Sequence, residues 1–168
     1  GRYDLNEQPV EVNSIARNVL KMCSVLADKK NIKLKSNLPN PSPILNGDAR
    51  ALKQMLVNLI SNSIKYTKAE GEVFLEILDL PQKGIQVSIK DTGTGIAQEE
   101  LARIMEPFVQ VAQGRNDKTE GTGLGLAIVK ALAELQDTDF TLSSSFGVGT
   151  TAQLTFPEKK RFVTWDAA

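Results

Sequence analysis

Asn58, Asn62 and Lys65 stand in the run QMLVNLISNSIKYT. On a helix turning about 100° per residue they fall within one narrow sector, flanked by Gln54, Ser61 and Tyr66, while Leu52, Leu56, Leu59, Ile60 and Ile64 take the opposite side. Two Asn carboxamides one turn apart offer oxygens to a hard cation such as Mg²⁺, and an ammonium a turn later can meet the phosphates that the cation bridges. The face suits a Mg-nucleotide. It equally suits water, because polar helix faces are common and Asn is only a mediocre helix former.

Two further segments carry chemistry. In GIQVSIKDTGTGI, Asp91 is in phase with Ile85, Val87 and Ile89, so its carboxylate is aimed toward the core side of a strand. A buried carboxylate is costly without donors, and the exocyclic amine of adenine would be a specific one. Gly93 and Gly95 would let backbone approach a flat ring closely, although DTGTG read alone is also an ordinary Asp-Gly turn. Further on, EGTGLGLAIVK puts Gly121, Gly123 and Gly125 immediately before an amphipathic helix, which exposes backbone N–H groups to an anion. The plainer reading is a glycine-rich turn leading into a core helix. The spacing is neither G-x-G-x-x-G nor GxxxxGK[ST], so neither the dinucleotide fingerprint nor the P-loop accounts for it.

The elements that must position these residues follow from periodicity. A short strand is expected over 4–10. Asn13 is expected to cap an amphipathic helix running to about Lys30, with Ile15, Val19, Met22, Val25 and Leu26 as its apolar side. Ile32, Leu34 and Leu38 suggest a strand, broken by Pro39, Pro41 and Pro43 before a short ILNGD segment. Asp48 reads as the N-cap of a second helix from Ala49 to about Tyr66, and 72–79 with 84–90 as a hairpin. A short helical stretch around 98–104 precedes a loop from Pro107 to Gly121 without apolar period, of the kind that often serves as a lid. Its stretch from about Val109 to Glu120 is expected to be mobile and to be ordered by nucleotide. Helical periodicity returns over 124–135 with Leu126, Ile128, Val129 and Leu132, and 139–145 with 150–156 close the fold as a strand pair. Helices interleaved with hairpins fit a two-layer α/β sandwich of α+β type better than a regular βαβ repeat. The domain is read as 1–157, with 158–168 as a peripheral tail.

Composition removes several alternatives. At 168 residues and 41% hydrophobic content the chain suffices for one core, and 20 basic against 20 acidic residues leave no net field for nucleic acid or an anionic membrane. The absence of histidine excludes histidine-based catalysis within the chain, and with Cys23 the only cysteine a zinc site is not expected. Cys23 reads as buried packing in VLKMCSVLA. No stretch approaches the ~18 consecutive apolar residues of a membrane span, and GRYDLNEQPVEV is not a signal sequence.

Taken in order, these segments resemble the N, G1, F and G2 boxes of the GHKL ATPases, most closely the ATP-binding catalytic domain of sensor histidine kinases. NLISNSIKYT is similar to the N box, DTGTGI to G1, EPF to the F box and GTGLGLAIVKAL to G2, and the match covers nearly the whole chain. The resemblance implies a Bergerat-type sandwich: a mixed, largely antiparallel sheet covered on one face by about three helices, with ATP beneath a lid. It implies Asn62 as the Mg²⁺ ligand, Asn58 as its companion polar position and Lys65 as a phosphate contact. Tyr66 then lies beside the nucleotide, Asp91 reads adenine and Gly93 and Gly95 are the G1 glycines. Phe108 belongs to the F box, and Gly121, Thr122, Gly123, Leu124 and Gly125 to the lid end that wraps the phosphates. Arg115 and Lys118, in the lid, are either phosphate-neutralising groups or solvated charges.

Hydrolytic relatives such as gyrase, mismatch-repair ATPases and heat-shock chaperones place a glutamate where Asn58 stands, so the resemblance implies poor water activation and favours transfer to a supplied acceptor. Met105 replaces a second F-box phenylalanine, and ELQDTDF replaces a His-Gly segment common in the family; neither touches the inferred nucleotide contacts. GRYDL resembles the point where the preceding dimerisation helices end, which puts the acceptor histidine upstream. The expected activity is γ-phosphate transfer from Mg-ATP to a histidine on that helical domain, with a response regulator as indirect partner. The alternatives are an ATP-binding pseudokinase switch without transfer and a serine-directed protein kinase of the same group. The resemblance further implies a cytoplasmic, monomeric fragment of a homodimeric parent, the fragment itself touching neither nucleic acid nor membrane.

Overall fold

The computed structural model describes residues 4–107, 109 and 123–162. In chain order the elements are β1 (Gln8–Glu11), α1 (Val12–Lys29), β2 (Lys33–Asn37), β3 (Ile44–Gly47), α2 (Ala49–Tyr66), β4 (Glu72–Leu80), β5 (Gly84–Asp91), α3 (Gly125–Leu135), β6 (Asp139–Ser145) and β7 (Gly149–Phe156). The helical stretch expected near 98–104 is present as two 3-10 turns, Gln98–Glu100 and Arg103–Met105.

The central helix starts where a side chain dictates. Asp48 has extended backbone and its Oδ1 accepts from the amides of Arg50 at 2.8 Å and Ala51 at 3.1 Å, which satisfies two of the N–H groups that a helix leaves open. Its Oδ2 accepts from the Asn6 amide at 2.9 Å and the Arg50 guanidinium at 3.2 Å. Burial pushes this carboxyl up, but those four donors outweigh it and bring its pKa down to about 2. Downstream, Leu52, Met55, Leu56, Leu59 and Ile60 are buried, as the apolar side of the sequence requires.

α1 departs from expectation in two ways. Glu11, not Asn13, is the N-cap, and it makes no side-chain capping bond. Asn13 lies in the first turn, buried, with its amide on Ser42 Oγ and its Nδ2 donating to Pro39 O at 2.7 Å, so it ties the helix to the proline loop. The core-facing stripe is Val12, Ala16, Val19, Cys23 and Ala27, whereas Met22, Val25 and Leu26 are 53%, 58% and 48% exposed. Apolar residues occupy two neighbouring stripes of this helix. The stripe bearing small side chains is the one that packs against α2, because it lets the two axes come close. Burial raises the Cys23 thiol pKa, consistent with an inert core residue.

A five-stranded sheet, ordered β2-β4-β5-β7-β6, lies under the helices; only β2 with β4 is parallel. Alternation decides its faces. Val73, Leu75 and Ile77 of β4 and Ile85, Val87 and Ile89 of β5 point into the core beneath α1, α2 and α3, as period two demands. The expected two-layer sandwich with a mixed, largely antiparallel sheet is therefore the observed fold. β1 and β3 form a separate antiparallel ribbon.

Residues 158–162, read as the start of a peripheral tail, pack against the body of the domain. Arg161 makes an antiparallel bridge with Leu45, and the Phe162 amide donates to Ile44 O at 2.8 Å, adding backbone to the β1–β3 ribbon. Lys160 pairs with Glu7 and Arg161 with Asp79. Alternating apolar runs predict strands but not this edge pairing, which depends on where the ribbon leaves an open ladder.

Candidate functional site

A cavity of about 360 Å³ opens between α2, the end of β5, the start of α3 and the inner face of β6 and β7. Each of the chemistry-bearing segments reaches it. From α2 come Asn58, Asn62, Lys65 and Tyr66, from β5 Asp91, from the loop after it Gly95, and from the start of α3 Gly123, Leu124 and Gly125.

On the α2 face, Gln54 Nε2 donates weakly to Asn58 Oδ1 at 3.4 Å, and Asn58 Nδ2 is buried without a hydrogen-bond partner. An orphaned buried amide is unusual in a folded interior, and it belongs to a residue that lines the cavity. A Cβ on Gly125 would lie 3.3 Å from Asn62 Nδ2, so glycine at that position lets the start of α3 close directly over Asn62. The Lys65 ammonium lies 4.9 Å from the centre of the Tyr66 ring, where the ring's negative face attracts it.

Asp91 ends β5, buried, and its Oδ1 accepts from the amides of Gly93 at 2.9 Å and Thr150 at 3.1 Å. Those two donors meet the demand that a buried carboxylate makes. They leave Oδ2 without a hydrogen-bond partner among the described residues. The glycines after it have a different reason from the one the sequence suggests. Gly95 has φ of +66°, and a Cβ there would meet Ser145 O at 2.0 Å. A Cβ on Gly93 would meet Tyr66 O at 2.7 Å. Both glycines admit close backbone packing within the protein; Gly95 also lines the cavity, while Gly93 acts through its bond to Asp91.

Phe108, Arg115, Lys118, Gly121 and Thr122 lie outside the described residues, as does the expected mobile segment except for Val109. Sequence reasoning missed the apolar wall: Leu59, Ile96, Ile104, Leu126, Ile128, Leu142 and Ala152 line the cavity and give it an apolar side. It also missed Thr150, the second donor to Asp91. The available signal was Ile128, an apolar residue of the helical period over 124–135 that the fold leaves 38% exposed and lining the cavity.

Comparison with known proteins agrees with this geometry. Residues 47–160 match the family described as histidine kinase-, DNA gyrase B-, and HSP90-like ATPase. A sensor-like histidine kinase of Rhizobium meliloti is 38% identical over 157 residues, covering 94% of this chain and 30% of that protein. The non-motile and phage-resistance protein of Caulobacter vibrioides is 38% identical over 160 residues, covering 94% of this chain and 19% of its own length. The chain thus spans less than a third of these curated relatives. Among solved structures, full-length ShkA in complex with AMPPNP superposes with a TM-score of 0.79 at 30% identity, over 94% of this chain and 33% of that one. The catalytic domain of histidine kinase ThkA superposes with a TM-score of 0.79 at 23% identity, over 91% of this chain and 96% of that one, a likeness of fold. An asparagine-bearing helix, a buried strand-end aspartate and a glycine entrance to α3 around one cavity, together with this match over most of the chain, mean that it belongs to the histidine kinase-, DNA gyrase B- and HSP90-like ATPase family, with histidine kinases among its relatives.

Proposed function

We propose that the chain binds ATP with Mg²⁺ and presents the γ-phosphate to a histidine on a separate dimerisation and phosphoacceptor helical domain, which then supplies a response regulator. The observation that carries this reading is the meeting of three walls on one cavity: an apolar side with Asp91 beside it, Asn58 and Asn62 with Lys65, and the glycine-flanked start of α3. The first suits an adenine, whose exocyclic amine donates to the open carboxylate oxygen. The other two suit a polyphosphate, through an ammonium, amide groups and helix-end N–H groups. AMPPNP in the complex of full-length ShkA supports a nucleotide of this class.

The donor set also fits Mg²⁺ in a particular way. No group of three or more His, Cys, Asp or Glu able to hold a metal is present among the described residues, so an all-protein cage is not what these residues build. Asn62, beside the α3 glycine and next to the orphaned amide of Asn58, would hold the ion together with phosphate oxygens, the usual Mg²⁺ arrangement. Bound there, the ion would neutralise charge on the phosphates. The protein's own part is positioning: Asp91 fixes the base, Lys65 the phosphates, and the apolar wall excludes water. Titration calorimetry with ADP, ATP and GTP, each with Mg²⁺ and with EDTA, tests the reading. Adenine nucleotides should bind, guanine nucleotides much more weakly, and Mg²⁺ should strengthen triphosphate binding; equal binding of GTP would contradict the role of Asp91.

A further inference from the structure

The C-terminal end of α2 carries two of its cavity-lining side chains, Lys65 and Tyr66, yet its own sequence closes it only in part, through the Thr67 amide and Oγ1, which both donate to Ser63 O at 3.0 and 2.7 Å. A helix leaves its last carbonyls open, and a glycine in the left-handed region is the common solution. Here Thr67 follows with extended backbone, φ −88° and ψ 136°. The rest of the closure comes from another element. Lys30, the residue that ends α1, sends its Nζ to Ile64 O at 2.9 Å, Lys65 O at 2.7 Å and Thr67 O at 2.9 Å.

Those contacts match the three donors of an ammonium, and a cation at this end opposes the partial negative charge of the helix terminus. No carboxylate pairs with Lys30 among the described residues. Burial draws its pKa below that of a free lysine, a cost that the carbonyl contacts offset. The carbonyl that Lys30 skips, Tyr66 O, accepts the Thr94 amide at 3.1 Å, so the DTGTG loop leans on the same turn from the cavity side. Successive peptide units are thus held from behind by Lys30 and from in front by the loop that carries Gly95 and follows Asp91.

We propose that Lys30 is a positioning residue for the nucleotide site: it fixes the last turn of α2, and through Tyr66 O the loop after Asp91, without touching the ligand. The proposal rests on the nucleotide reading of the cavity. The corner does not depend on the ammonium for its existence, because the Glu70 amide donates to Asn31 O at 2.9 Å and the Lys33 amide to Gly71 O at 2.9 Å. Removing the charge should therefore loosen the turn in a folded protein.

The test is calorimetric titration of the chain with Mg-ADP, comparing wild type, Lys30→Met, Lys30→Gln and Lys30→Arg. Asp48→Ala serves as a control that weakens the opposite end of α2, far from the cavity. Lys30→Met and Lys30→Gln should each lose about tenfold in affinity, the scale on which loss of a group orienting a binding residue is felt, and Lys30→Arg should return to within about threefold of wild type. Asp48→Ala should lower the melting temperature and keep wild-type affinity. If Lys30→Met does not fold, Lys30→Gln, which keeps two N–H donors, decides. Wild-type affinity in a folded Lys30→Met or Lys30→Gln, failure of Lys30→Arg to rescue, or an equal loss in Asp48→Ala would each overturn the proposal. A wild type that binds no adenine nucleotide would instead overturn the reading of the site, and this proposal with it.

Discussion

Asp91 keeps its two oxygens in different company, and that difference makes it separable by mutation. Oδ1 is held by the Gly93 and Thr150 amides, and Oδ2 has no hydrogen-bond partner among the described residues. Asp91→Asn can keep an oxygen for the two amides while turning the other position from acceptor to donor. Its melting temperature should stay within a few degrees of wild type, but ADP affinity should fall by about tenfold or more, and the preference for ADP over GDP should narrow. Unchanged selectivity by titration would contradict the adenine assignment. Asn62→Ala tests the other end of the ligand. With no acidic metal cluster among the described residues, the proposed Mg²⁺ would be held by the phosphates and this carboxamide together. The ratio of ATP affinity with Mg²⁺ to that with EDTA should therefore fall about tenfold toward one in Asn62→Ala, and a ratio equal to wild type would remove Asn62 from the metal's shell. These residues were legible in the sequence because Asn58, Asn62 and Lys65 share one helix sector and Asp91 is in phase with buried strand residues. Thr150 was not, since its bond to Asp91 arises from the pairing of β5 with β7.

At the scale of elements, α2 is the part that positions chemistry, and its N-cap links stability to pH. The Asp48 pKa of about 2 in the folded protein lies below the ordinary carboxylate value of about 3.9, so the folded state binds this proton less readily than the unfolded chain. The stabilisation is full above about pH 5 and is lost as pH falls through 4 toward 2; for a side chain this buried it amounts to about 2 kcal/mol. Denaturant titrations of Asp48→Asn should show a loss of that order at pH 7 and a flatter acid limb than wild type. Equal acid limbs would place the acid sensitivity elsewhere. The same helix explains what sequence reveals about elements. Its bounds were readable because a capping side chain and a clean apolar side both mark them. In α1, apolar residues cover two stripes, and Asn13, a good cap by type, is drawn to Pro39 O instead, a contact 26 residues away that local reasoning does not reach. Most strands followed from alternation, though β3 was read only as a short ILNGD segment, and the order β2-β4-β5-β7-β6 did not; it is this order that sets Leu142 and Ala152 against the cavity.

For the molecule as a whole, the proposed chemistry is transfer rather than hydrolysis. The chain has no histidine, α2 contains no acidic residue, and Asp91, at the adenine end, is the only carboxylate among the described residues lining the cavity. A general base for water must be within hydrogen-bond reach of the attacking oxygen, and among the described residues lining the cavity no carboxylate stands on the Asn58 and Asn62 face. The isolated domain should bind ATP and turn it over very slowly. On the proposed reading, the apolar wall, the asparagine face and the start of α3 hold a nucleotide in place, and the acceptor histidine, absent from this chain, is supplied by another domain. Untethered delivery lowers the effective concentration of that acceptor, so transfer between separate polypeptides should be slower than in a joined protein. The most direct test is incubation of this chain with γ-labelled Mg-ATP, alone and with histidine-bearing dimerisation helices of the parent kinase as a separate polypeptide. The account predicts acid-labile label on the added histidine, none on the chain itself, little free phosphate, and loss of transfer in Asp91→Asn. Tight ATP binding with no label ever reaching the histidine, or rapid release of phosphate by the chain alone, would contradict it.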